Sequence, residues 1–179
     1  VGGTAAPTLS APRVSGAKVA ADIVAWAKQR DQLPPDQIVP AIIKKMREVN
    51  GGVEILVVPR FAQGTLYELD LSNNPELQNI DPLYGLKLHR LRVNGARKLR
   101  SIAGLAGMTS LRELSLQDCE SLTDLSPIVG MPLSSLSLRN CKSLRGDLSA
   151  LKGFRMERGS VFEISGCENL TSLAGLTIE

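Results

Sequence analysis

Aromatic residues are scarce in this chain, where they make up 3% of 179 residues, with one Trp, two Tyr and three Phe. Apolar residues nevertheless reach 43%, which is ample for a hydrophobic core. A core with so few rings has to be built from Leu, Ile, Val and Ala. Such side chains are typical of thin stacked layers, and the composition favours a structure of that kind.

The residues of metal centres and of nucleophilic catalysis are also few. The chain has one histidine, His89, and three cysteines that form no CxxC pair. A zinc site needs several such ligands together, so the sequence predicts no metal and no cofactor. Because it also lacks a nucleophile–base pair and a phosphate-binding glycine loop, we expect no enzyme activity.

Long apolar runs and basic clusters are absent too. No apolar run approaches the roughly 20 residues that a transmembrane helix needs. The formal net charge is +3, and the basic residues are interleaved with acidic ones, which argues against nucleic-acid binding. The expected partner is therefore a protein.

The N-terminal third divides into a leader and a cap. Residues 1–16 are rich in Gly, Ala, Pro, Ser and Thr, and they are predicted to be a flexible leader or linker. Residues 17–65 are predicted to form a cap of two helices and a β-hairpin. Apolar residues recur at helical spacing on both sides of the segment LPPD, within residues 17–50.

Two details of this cap are predicted from local signals. Pro40 is predicted to lie in the first turn of the second helix, where proline is tolerated. The short run 53–58 is predicted to be the first strand of the hairpin. The sequence PRFAQG is then the turn, and the second strand begins at Leu66.

From Leu66 onward the chain repeats itself. The rows begin at Leu66, Leu88, Leu111, Leu133 and Gly159, so the spacings are 22, 23, 22 and 26 residues. The LxL core of each row, a glycine column and a leucine column agree throughout. The LxL core reads Leu69/Leu71, Leu91/Val93, Leu114/Leu116, Leu136/Leu138 and Phe162/Ile164; the glycines are Gly85, Gly107, Gly130, Gly153 and Gly175; the leucines are Leu77, Leu99, Leu122, Leu144 and Leu170.

Residues 66–176 resemble the leucine-rich repeat superfamily, whose signature is LxxLxLxxN or LxxLxLxxC. Rows such as LTDLSPIVGMPLSSLSL and LRGDLSALKGF are similar to repeats in large bacterial signalling proteins, including Ser/Thr kinases. The resemblance implies an α/β fold, in which about five repeats over residues 66–179, the last one truncated, form a short solenoid with a parallel concave sheet. Here the ladder residue is followed by xxL and not by xL, so the return paths are expected to be turns or short 3₁₀ segments.

A solenoid exposes apolar faces at its ends unless they are capped. Residues 17–65 are well placed to cap the first repeat. No comparable segment follows Leu176. We therefore expect that the native chain continues, or that a partner contacts an uncapped C-terminal end.

All three cysteines fall in one column of the repeat, which reads Asn74, Ala96, Cys119, Cys141 and Cys167. The side chain of this ladder position is expected to point inward and to satisfy backbone groups of the turn. We expect structural thiols without a disulfide, which favours a reducing compartment such as the cytoplasm. His89 begins a strand, and we expect it to be exposed and without a special role.

Alternation along the strands places the non-leucine positions on the concave face. There Asp70 is expected beside Arg92, and Arg90 between Glu68 and Glu113. Salt bridging on a solvated face is one interpretation, and partner binding is the other. Arginine is the only typical interface anchor available. The binding candidates are Glu68, Asp70, Arg90, Arg92, Asn94, Glu113, Gln117 and Arg139, with Arg155 and Arg158 in the longer loop of the fourth row.

These features predict a protein–protein interaction scaffold, in the role of a regulatory or assembly module of a larger protein or complex. The alternative is a structural subunit or assembly factor that is permanently incorporated into a multiprotein complex.

Overall fold

The computed structural model describes residues 18–152, 154, 159–172 and 174. The predicted leader, Arg155 and Arg158 lie outside the described residues. The described part is a mixed α/β structure with two helices and a six-stranded sheet. Within it, every helix is too short or too polar to span a lipid bilayer.

The two predicted helices are confirmed as α1, Ala21–Arg30, and α2, Pro35–Val49. The prediction for Pro40 was wrong, because α2 begins earlier and Pro40 lies inside it. Pro35 has the fixed φ that suits a first helical position. Pro40 interrupts the backbone hydrogen bonding of α2 at one point, and the helix continues because Val39, Ile42 and Met46 are buried against the core.

The hairpin is confirmed, but its first strand was predicted too early. Strand β1 is Val58–Ala62, β2 is Thr65–Asp70, and the turn residues Gln63 and Gly64 have φ of 50° and 75°, as tight hairpin turns require. The stretch before β1 does not form a strand; its backbone is hydrogen-bonded to the side chain of Asn74. The backbone N–H of Leu56 donates to Oδ1 of Asn74, and Nδ2 of Asn74 donates to the carbonyl of Leu56, both at 2.8 Å.

The remaining strands are short and follow the rows of the sequence. They are β3, Arg90–Arg92; β4, Glu113–Ser115; β5, Ser135–Ser137; and β6, Phe162–Glu163. The sheet order is β1 to β6 in sequence, with β1 antiparallel to β2 and all later pairs parallel. The predicted LxL columns are in register, since Leu69 pairs with Leu91 and Leu91 with Leu114.

Four 3₁₀ turns follow the strands at Asp81–Leu83, Ala103–Leu105, Ser126–Ile128 and Ser149–Leu151, as predicted. Sequence reasoning missed how they begin. A polar side chain before each turn accepts a hydrogen bond from the N–H two residues later, at 2.7–3.1 Å, and the next row has the same bond. These acceptors are Asn79, Ser101, Asp124, Asp147 and Ser172. Such side chains favour turns.

The turns stack closely on one another. A Cβ at Gly104 would lie 2.4 Å from the carbonyl oxygen of Ile80 in the preceding turn. A second column, three residues after each strand ends, has φ between 57° and 79°, which suits Asn, Asp and Gly. Its members are Asn73, Gly95, Asp118, Asn140 and Gly166.

Leucine side chains fill the space between the strands and the 3₁₀ turns. Leu77, Leu99, Leu122 and Leu144 are buried, whereas Leu170 in the last row is only partly buried. The same row leaves Phe162 and Ile164 partly buried. Residues 175–179 lie outside the described part, so an uncapped C-terminal end stays a prediction.

Candidate functional site

The outward-facing side chains of the strands, with the polar residues that follow each strand, form one surface that we call the sheet face. Glu68, Arg90 and Glu113 are register partners on neighbouring strands, and so are Asp70 and Arg92. The leucines between them point the other way and are buried. The alternation predicted from the sequence therefore places the binding candidates of β2, β3 and β4 side by side on one face of the sheet.

Glu68 is the centre of an ion cluster at the hairpin end of this face. Its side chain is only 2% exposed, and its ion-pair partners are all arginines. Nη1 of Arg92 donates to Oε1 of Glu68 at 2.8 Å, and Nη1 of Arg90 donates to Oε2 at 3.3 Å. Arg60 of β1 lies 3.8 Å away. Sequence reasoning missed Arg60, because the hairpin strand was placed too early.

Arg90 lies between two carboxylates, as predicted. Its Nε donates to Oε2 of Glu113 at 2.6 Å on the side opposite Glu68. The hydrogen bonds that Arg90 donates to Glu113, followed by the charges of both carboxylates, raise the pKa of Arg90. Arg90 is thus a fixed cation whose side chain is bound from both sides.

Asp70 lies beside Arg92, as expected, but the two side chains do not pair with each other. Arg92 reaches diagonally to Glu68, while the Asp70 carboxylate accepts a hydrogen bond from the backbone N–H of Ser72 at 2.9 Å. Short acidic side chains favour such local bonds two residues on. Register partners on a sheet are therefore not always ion-pair partners.

The far part of the sheet face is a hydrogen-bonded network of serine and amide side chains, which ends at Arg139 and Glu163, an ion pair of 3.7 Å. The hydroxyl of Ser115 donates to Oδ1 of Asn94 at 2.7 Å, and Nε2 of Gln117 donates to the hydroxyl of Ser137 at 2.9 Å. Arg139 donates to Oε1 of Gln117 at 3.2 Å. Between this network and the ion cluster runs a shallow groove of about 190 Å³.

The cysteine column points inward, as predicted, and its thiols are free. Each thiol reaches back to the preceding row: Cys119 donates to the carbonyl of Val93 at 3.2 Å, and Cys141 donates to that of Leu116 at 3.1 Å. Burial raises the pKa of Cys141 to about 12 and also raises that of Cys119. Protonated, buried thiols are poor nucleophiles, so their role is structural.

His89 is exposed, as expected, but it is not isolated. Its ring stacks on that of Tyr67, with 5.0 Å between the centroids and 12° between the planes. Sequence reasoning missed this pair, although Tyr67 and His89 occupy the same position in successive rows.

The chemistry of the sheet face is that of hydrogen bonding and ion pairing. In the described ranges there is no group of three or more His, Cys, Asp or Glu side chains placed to hold a metal ion. Comparisons of the chain with protein-family models, curated proteins and solved structures give no significant match. The function proposed below therefore rests on the geometry of the molecule itself.

Proposed function

We propose that this chain is a short leucine-rich repeat solenoid that acts as a protein–protein interaction scaffold, as a regulatory or assembly module of a larger protein or complex. The parallel strands support this, because each belongs to one row and pairs in register with the next. The thiols that bond the preceding row support it further. A single row is too thin to bury its leucines, so rows gain stability by stacking.

We place the partner on the sheet face, and the ordered arginines carry this proposal. Arginine is enriched among the residues that dominate binding energy. Arg90 and Arg92 have side chains 29% and 38% exposed, and Glu68 holds both from beneath. Side chains that are ordered before binding lose less conformational entropy in the complex.

A second candidate function is that of a permanently incorporated subunit. The partly buried Phe162, Ile164 and Leu170 favour it, because the equivalent Leu136, Leu138 and Leu144 in the preceding row are buried. Apolar side chains left accessible in this way suit a lasting contact. Under this proposal the chain elutes from native lysate only within a complex, and a stable isolated monomer would count against it.

The test of the sheet face is affinity capture from native lysate with this chain as bait, followed by mass spectrometry. We expect a partner that is retained by the unmodified chain and lost by the combined variant Arg92→Gln and Arg139→Glu. Arg92→Gln keeps a donor for Glu68, which protects the fold. Arg97→Glu is the matched control, because its side chain is exposed and pairs with Glu120 outside the sheet face.

Circular dichroism of each variant checks that the fold is retained. Capture by the Arg97 control together with loss in the combined variant would support the sheet face. Equal capture by all three proteins would exclude the sheet face as the contact surface.

A further inference from the structure

A second surface lies at the N-terminal end, where the hairpin and α2 leave an apolar groove between them. Its volume is about 350 Å³, within the range of roughly 300–1,000 Å³ that is common for binding clefts. The apolar side chains that line it include Ile38, Val39, Phe61, Leu66, Leu86 and Leu88.

The register of the hairpin explains the groove. Phe61 pairs with Leu66 beyond the irregularity that follows Arg60, so Arg60 faces Glu68 while Phe61 turns to the side of the leucines. Helix α2 buries Ile42 and Met46 completely, but it leaves Phe61 54% exposed. Large apolar side chains exposed beside a cleft mark interaction sites.

Two charged side chains line the groove, and within the part of the chain that the structure describes only one of them is already bound to another residue. Asp31 and Lys87 both line it. Asp31 is already bound, since Nη2 of Arg30 donates to its Oδ1 at 2.7 Å. Lys87 is exposed and forms no ion pair with any residue in the described ranges. The charge left for a ligand is therefore positive. The ring of His89, which follows Leu88 in the chain, stacks on that of Tyr67, which follows Leu66.

We propose that this groove binds a short segment of a partner protein in which an apolar side chain is flanked by carboxylates. The apolar side chain packs against Phe61 and Leu88, and a carboxylate pairs with Lys87. The groove offers the aromatic contact that the sheet face lacks, and aromatic side chains are typical anchors at interfaces. This proposal does not depend on the function of the sheet face.

The test uses a capped hexapeptide of two leucines with two aspartates on each side, titrated into the ¹⁵N-labelled full chain. We expect saturable binding, with amide shift changes at Phe61, Lys87 and Leu88. Two comparison peptides replace the leucines by serines or the aspartates by lysines. Each should bind about tenfold more weakly, because one loses the apolar contact and the other meets Lys87 with like charge.

Two surface variants and two controls complete the test. Phe61→Ala and Lys87→Glu should each weaken binding of the aspartate–leucine peptide about fivefold or more. Val129→Ala, at another exposed apolar side chain, and Arg139→Glu, on the sheet face, should leave it unchanged. Dispersed spectra show that each variant is folded.

Several results would overturn the proposal. One is the absence of binding up to about 1 mM peptide. Another is equal affinity for the serine peptide. A third is binding that persists in Phe61→Ala and Lys87→Glu, or shift changes that map to the sheet face.

Discussion

Removing the two arginines that bind Glu68 should destabilise the protein more than removing Glu68 itself. In the variant Arg90→Ala with Arg92→Ala, the Glu68 carboxylate keeps only Arg60, whose Nε lies 3.8 Å away and whose side chain is 66% exposed. The carboxylate itself is 2% exposed. Loss of one side of a buried pair costs about 3–5 kcal/mol. The shorter alanines admit some water, so we expect about 3 kcal/mol.

Glu68→Gln should lower the free energy of unfolding by only about 1 kcal/mol, because Arg90 and Arg92 lose their carboxylate partner but still reach solvent. Their side chains are 29% and 38% exposed, and glutamine retains one acceptor for them. The decisive protein is the combined variant that carries Arg90→Ala, Arg92→Ala and Glu68→Gln. It should be about 1–2 kcal/mol more stable than the arginine double variant, since it no longer buries an unpaired charge.

Urea unfolding followed by circular dichroism gives the free energies of unfolding, and equal m-values show that the compared states are alike. Glu113→Gln serves as a control, because Glu113 is 38% exposed and should cost less than about 1 kcal/mol. If the combined variant is no more stable than the double variant, Glu68 is not held by Arg90 and Arg92 in the way described here.

Two further predictions concern the interior. Gly104→Ala should lower the free energy of unfolding by about 2–3 kcal/mol through overpacking, since its Cβ would lie 2.4 Å from a carbonyl oxygen of the preceding turn. Gly107→Ala should lower it by about 1 kcal/mol, because Gly107 has a φ of 78° but no atom within 4 Å of the added Cβ. Equal losses for the two variants in urea unfolding would contradict the close stacking of the turns. Burial raises the pKa of Cys141 from 9.0 to about 12 and also raises that of Cys119. The unfolded chain therefore loses these thiol protons first, and the free energy of unfolding should fall as pH rises from about 9 to about 12. Cys141→Ala should flatten that fall, and an unchanged slope would show that other groups cause it.

Much of the fold was readable because one pattern repeats along the chain. The LxL columns placed each strand, and the departure from the usual leucine spacing indicated 3₁₀ turns. The column of positive φ was also readable, since Asn73, Asp118 and Asn140 share one position with two glycines, but the pattern was recognised from other leucine and glycine columns.

The hairpin was harder because its first strand depends on a distant contact. Residues 53–58 are apolar except for Glu54 and favour a strand by local pattern. In the structure, Asn74 holds Leu56 through two side-chain hydrogen bonds across 18 residues, and pairing with β2 starts only at Val58. No local signal records such a contact.

The sheet face was predictable as a surface but not as a set of contacts. Alternation showed that Glu68, Asp70 and Arg92 share a side. Which acid Arg92 binds depends on side-chain length and on the competing backbone N–H of Ser72. The groove at Phe61 depends on how far α2 covers the hairpin, and that is a property of packing between elements.

The thiol contacts imply that this molecule can change in length by whole rows. The Cys119 thiol bonds the carbonyl of Val93, and the Cys141 thiol bonds that of Leu116, one row later. Excision of residues 111–132 would bring Cys141 to the place of Cys119, above Val93. Gene duplication or loss of this unit would therefore keep the thiol-to-carbonyl contact between neighbouring rows, so a change in the number of rows requires no new contact at this column.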